Sequence, residues 1–244
     1  MKRNKMKAPS KCFVIKEMLR MDFEKTRYLF QQKFSSANGV SLDLNFSIPD
    51  SRRITEVIEK GNEIYDPAIA AHCIRSYFFG KIFANIEKKK IDDEVFFVGS
   101  FLHDIGLNQS SSSVTFEVAG ANCASQMCQR SFSNTEISII SEMISLHDAI
   151  GMANSGSSEL KFLHMGAGLD VAGLWSYLLP EDLILKVYRE VPANNFSNTI
   201  VSLLKERMRE HPKMFLSTLI RLGFYGKIKK WHREVLNKIG SEVL

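Results

Sequence analysis

Much that would mark a secreted, membrane-spanning or disulfide-stapled protein is missing from this 244-residue sequence. Its four cysteines, Cys12, Cys73, Cys123 and Cys128, are irregularly spaced and form no CxxC pair, so nothing suggests structural zinc or a redox motif. Cys73 and Cys123 lie in apolar helical surroundings, where reduced core thiols are expected. No stretch approaches the roughly 20 apolar residues needed to span a bilayer. CFVI, the only early apolar run, is too short for a signal-peptide core. A soluble protein retained in the cytoplasm is the expectation. An excess of positive charge is confined to one place. The first twenty residues carry seven Lys or Arg against the single acid Glu17, leaving twenty-five basic and twenty-six acidic residues elsewhere. That pattern predicts a basic N-terminal arm over residues 1–20 ahead of one domain over 21–244. It argues against a specific nucleic-acid surface on the body of the protein.

Convincing strands are also lacking, whereas helical punctuation recurs. Asp66-Pro67 supplies a cap followed by proline in the first turn, opening a helix through AIAAHCIRSYFFGKIFANIEKK. Asp92 can cap DEVFFVGSFLHD, which Gly106 closes. Thr115 precedes a third helix, and Ser133 with Glu136 forms a capping box for a fourth. A further helix is predicted from SELKFLH to Pro180, with three more behind it. The fold class is therefore all-α, with 45% apolar residues to build the core. Ser35 to Ser51 reads as loop or a short strand. NQSSSSV, Asn108 to Val114, reads as linker by composition, with a substrate-covering loop as the alternative.

Two near-identical phrases stand out: FLHDIG at 101–106 and SLHDAIG at 145–151. His103 and Asp104 end a strongly apolar helix, where the unwinding backbone lets adjacent side chains converge. A buried ionisable pair there needs a partner, and a divalent cation is one. His72 lies 31 residues upstream in the preceding helix, with Arg75 one turn further on. Asp170, inside GAGLDVAG, is a poor core residue and a good ligand. His164 projects about 120° away from Asp170 on the same helix and is left out of the ligand set.

The order His72, His103-Asp104, Asp170 resembles the H…HD…D signature of the HD-domain superfamily of metal-dependent hydrolases. HCIRSYFFG, FLHDIG, TFEVAGA and the segment from ISLHD to GLDVAG are most similar to its cyanamide hydratase branch, over roughly residues 50–210. The resemblance implies a helical bundle holding one divalent metal between core helices, with His72, His103, Asp104 and Asp170 as ligands. His147 falls beside the reacting water, where His147 or Asp104 would move the proton, with a supporting structural role for His147 as the alternative. Asp148 replaces the middle amide of an HQD word in that branch, which leaves its hydrogen bonding open. Leu107 stands where relatives acting on cyclic dinucleotides carry Lys, and no GYP word follows.

Mixed imidazole and carboxylate ligation suits zinc or iron first, then manganese or nickel. The leading expectation is a hydrolase or hydratase acting on a small polar substrate, nitrile-like by resemblance. Phosphomonoester or nucleotide hydrolysis is the alternative. It would need cations, and Arg75 is the one that spacing places beside the ligands as a substrate-binding group. A non-catalytic binding protein, docking through its basic arm, is the third reading. Homo-oligomerisation is left open.

Overall fold

A computed structural model describes residues 9–32, 46–109, 113–151 and 156–241, and every regular element in them is helical. The α-helices run α1 Lys11–Gln32, α2 Arg52–Asn62, α3 Pro67–Ile86, α4 Asp93–Leu102, α5 Phe116–Cys128 and α6 Asn134–Leu146. They continue with α7 Ser158–Ala172, α8 Glu181–Glu190, α9 Phe196–Glu210, α10 Ser217–Arg221 and α11 Phe224–Ser241. The predicted starts are used as read. Asp66 accepts from the Ala68 amide, Asp92 from those of Glu94 and Val95, and Ser133 and Glu136 close a reciprocal capping box.

One contiguous hydrophobic core runs from Ile54 in α2 to Val235 in α11. α3 is its axis, because it is apolar nearly all round and buries Ile69, Phe79, Ile82 and Phe83 against several neighbours at once. Its main partner is α7. The two meet where neither has a side chain: a Cβ on Gly166 would lie 2.2 Å from the Ser76 carbonyl oxygen, and one on Gly80 would lie 2.8 Å from that of Phe162. This close antiparallel crossing has a direct consequence for the site. One turn beyond it in each helix lie His72 and Asp170, which the crossing brings together. The segment after His103-Asp104 is fixed in the same way, since a Cβ on Gly106 would sit 1.9 Å from the Phe116 carbonyl oxygen. α5 thereby packs directly against the Ile105–Asn108 turn.

Several elements differ from the sequence reading. Residues 11–20 of the expected basic arm form the first half of α1, while residues 1–8 lie outside the described residues. α1, α2 and the short α10 were not anticipated. The helix expected to continue to Pro180 stops at Ala172. Gly173 there adopts a left-handed conformation, φ 66°, and the Gly173 and Leu174 amides close onto the Leu169 and Gly168 carbonyls. The predicted loop or strand at 35–51 and the serine run lie mostly outside the described residues.

Because the α3–α7 crossing leaves no room for a methyl group, Gly166→Ala should destabilise the protein by roughly 1–3 kcal/mol. Urea denaturation checks this, and an unchanged midpoint would contradict so close a backbone approach.

Candidate metal centre

Four helix segments deliver polar side chains to one buried point. α3 contributes His72, the ends of α4 and α6 contribute His103-Asp104 and His147-Asp148, and α7 lies alongside with His164 and Asp170. His72 and Asp170 are fully buried, and His103 and Asp104 are nearly so. The His72 and His103 Nε2 atoms are 3.1 Å apart, and each lies 3.5 Å from Asp104 Oδ2. These three residues form a cluster able to hold a metal ion. On the other side of the carboxylate, His147 Nε2 is 3.5 Å from Asp104 Oδ1.

Tautomers assigned from the hydrogen-bond partners sharpen the picture. His103 Nδ1 faces the Ser100 carbonyl at 2.7 Å, and His147 Nδ1 faces that of Ile144 at 2.8 Å. A carbonyl only accepts, so both rings carry a proton on Nδ1. His72 Nδ1 lies 2.6 Å from Asp170 Oδ2, which sets its tautomer likewise. Three Nε2 lone pairs and both Asp104 oxygens therefore converge with no donor among them. Such an array repels itself unless a cation occupies it, which is the condition for a metal centre. A buried His72/His103/Asp104 cluster of this kind could coordinate a divalent ion; its donors do not select among zinc, iron, manganese and nickel.

With no metal, protons take that place. Burial opposes charging His147, but its hydrogen bond to Asp104 together with the charges of Asp148 and Asp104 outweighs this and pushes the imidazole up to about 9. Burial likewise opposes a charge on His72, and hydrogen bonds to Asp104 and Asp170 raise it nevertheless. His103, whose burial is reinforced by the neighbouring imidazoles, falls to about 3 and stays neutral. Burial works against the Asp104 carboxylate, yet the surrounding histidines hold it well below its usual range.

Asp170 and Arg75 are paired with each other. Asp170 lies outside the three-residue cluster, on the far side of the His72 ring. Arg75 grips its carboxylate with two hydrogen bonds, Nε to Oδ1 at 2.7 Å and Nη2 to Oδ2 at 2.9 Å. Arg75 Nη1 donates to the Val191 and Pro192 carbonyls at 3.3 and 3.1 Å. The guanidinium is fully buried and does not line the cavity in front of the cluster. The hydrogen bond from His72 to Asp170 fixes the ring and, with that to Asp104, raises its basicity. Phe196 adds a stacked face to the same imidazole, with ring centres 4.7 Å apart.

His164, left out of the ligand set on spacing, donates from Nδ1 to the His147 carbonyl at 2.5 Å and lines the cavity. Behind His147 is a feature that the sequence reading missed. Asp148 and Glu117 are both buried beside one another, and no amide, hydroxyl or basic group among the described residues donates to their four carboxylate oxygens. Burial, and then the charge of Glu117, push Asp148 well above the usual carboxylate range.

The cluster forms the inner end of a cavity of about 550 Å³. Met165, Val171, Leu174, Ile200, Leu204 and Leu219 make much of its wall. Among the described residues, its basic side chains are Arg20, Lys25, Lys161 and Lys227, and Lys161 is paired with Glu87 at 2.5 Å. No protein-family model matches the chain, and no curated protein is similar to it. What the molecule can do is therefore read from its geometry: a metal-binding site in an all-helical fold, of the kind a metal-dependent enzyme uses on a small substrate.

Two outcomes are expected. Metal uptake at pH 7 should release protons, because His147, pushed up to about 9, holds a proton without it. Apparent affinity should then rise with pH until His147 loses its proton near 9. Calorimetric zinc titrations in buffers of different ionisation enthalpy measure this, and proton-neutral uptake would contradict it. Secondly, Asp170→Ala strands the buried Arg75 and should cost roughly 3–5 kcal/mol of stability. His103→Ala should instead remove the metal at a smaller cost. Thermal melts together with metal analysis separate the two effects.

Proposed function

We propose that this protein is a metal-dependent hydrolase or hydro-lyase of the HD type, acting on a neutral head group carried by an apolar body. The observation that supports this most is the convergence of three histidine Nε2 atoms and one carboxylate at the inner end of a largely apolar cavity. His72, His103 and Asp104 would hold the ion. A divalent cation supplies Lewis acidity there, acidifying water and polarising an electrophile.

The chain's own residues account for the rest. Asp170, clamped by Arg75, keeps the His72 Nε2 lone pair aimed into the site. His147, with Nδ1 held by the Ile144 carbonyl, presents Nε2 to the cavity and moves a proton between the attacking water and the substrate atom that receives it. Asp104, whose Oδ1 faces His147, stabilises that imidazole when it is charged. The apolar walls exclude bulk water and hold the substrate body. For a nitrile-like carbon the balance is simple: the water oxygen bonds to carbon and both protons end on nitrogen, giving an amide.

Phosphomonoester hydrolysis is the second reading, and the lysines lining the cavity favour it. The arrangement of Arg75 weighs against it, because the cation expected to hold phosphate is committed to Asp170. A cavity of about 550 Å³ also exceeds what cyanamide alone would fill, which supports a larger apolar substrate than the resemblance suggests.

Turnover on the metal-replete enzyme distinguishes these readings. With alkyl or aryl nitriles, phosphomonoesters and nucleotides compared, kcat/KM should be highest for neutral substrates and rise with apolar length. Faster phosphate release from a short phosphomonoester would overturn the proposal. His147→Ala should retain the metal while kcat falls by roughly 10²-fold or more; loss of the metal in this variant would make His147 a ligand.

A further inference from the structure

Seven of the ten large apolar side chains that stand exposed among the described residues belong to α1. Ile15, Leu19 and Phe23 follow one another at intervals of four and form a single outward stripe, with Leu19 64% and Phe23 68% exposed. Nothing in the hydrophobic core explains these residues, because the buried contact of the same helix is Val14 on its opposite side. Lys16 and Arg27 are exposed alongside the stripe.

Charge is concentrated in the same place. Residues 1–32 hold nine Lys or Arg and three acids, a net charge of +6; the whole chain is +5, so residues 33–244 sum to −1. The molecule therefore carries its excess positive charge, and most of the exposed large apolar side chains among its described residues, on one N-terminal segment. Either feature alone is common. Four of the nine cations precede α1, which itself holds five against three acids. Helix and preceding residues together describe a segment that lies in the boundary layer of a lipid bilayer, with the apolar face of the helix among the acyl chains and the cations at anionic headgroups. A nucleic-acid partner would use the cations but leave the Leu19 and Phe23 side chains with nothing to bury them. A second copy of the chain would bring +6 against +6.

From this we infer that α1 docks the protein onto anionic membrane surfaces. No helix among the described residues is long and apolar enough to cross a membrane, so the attachment is peripheral. The other side of the helix gives the attachment a link to the site. Glu17, Met21 and Lys25 line the cavity in front of the metal cluster, so the docked helix lies between lipid and cavity. This inference does not depend on the proposed reaction.

The test is co-sedimentation of the full chain with phosphatidylcholine vesicles, with and without phosphatidylserine. Binding is expected only with the anionic lipid, and it should weaken as salt is added. Leu19→Glu and Phe23→Glu should each lower the partition coefficient roughly tenfold or more, the loss expected for burying one such side chain. Both side chains are mostly solvated, so circular dichroism should report an unchanged fold. The pair Lys16→Glu with Arg27→Glu leaves the apolar stripe intact and should abolish the preference for phosphatidylserine. No binding to anionic vesicles, or equal binding to neutral ones, would overturn the inference. So would a concentration-dependent dimer, seen by sedimentation without lipid, that Phe23→Glu dissociates.

Discussion

The site depends on the carboxylate of Asp170. It receives two hydrogen bonds from Arg75 and one from His72, and all three residues are fully buried. A buried ion pair adds little net stability over apolar residues that fill the same space, but it is costly to leave half made. Its value is geometric. Arg75 reaches from α3 to α7 and, through the Val191 and Pro192 carbonyls, to the turn between α8 and α9. The orientation of one imidazole is thereby tied to the closure of most of the core, so the His72 lone pair is aimed only when the protein is folded.

That constraint explains the electrostatics around it. One cation, Arg75, is spent on one carboxylate, and what remains in front of His72 is a surplus of acceptors. The protein fills that surplus with protons or with a metal, and the two compete for the same Nε2 atoms. Behind His147, Glu117 and Asp148 continue the acidic surroundings, and burial with the charge of Glu117 pushes Asp148 well above the usual carboxylate range. The site thus has one neutralised flank and one that is not.

Legibility in the sequence followed whether a signal was local. His72, His103 and Asp104 were legible because polar residues in strongly apolar helices need a reason, and the caps that start those helices are short-range chemistry. The pairing of Arg75 with Asp170, 95 positions apart, was not, because it depends on the register of two antiparallel helices set by Gly80 and Gly166. Spacing alone put Arg75 near the ligands and could not say that another residue had already claimed it. Glu117 escaped notice for a different reason: an acid in the first turn of a helix is what the helix dipole favours, so it looked ordinary. α1 was missed because its apolar residues are interleaved with charges and lack a wide core-facing stripe. The end of α7 was misread because the apolar run carries on past Gly173, where the backbone turns.

The doubled His-Asp phrase can be understood as one small module used twice. In each copy the histidine takes the first position past a helix and turns its ring back, so that Nδ1 meets the carbonyl three residues earlier, Ser100 in one case and Ile144 in the other. A carbonyl at a helix end lacks an intrahelical donor. The histidine therefore satisfies the helix and locks its own ring with the same bond. His72 requires a carboxylate from a distant helix to achieve that orientation, whereas these two need only their own final turn. An imidazole of this kind is portable: a helix ending in an apolar residue, His and Asp arrives with its lone pair already pointed outward, whatever scaffold carries it.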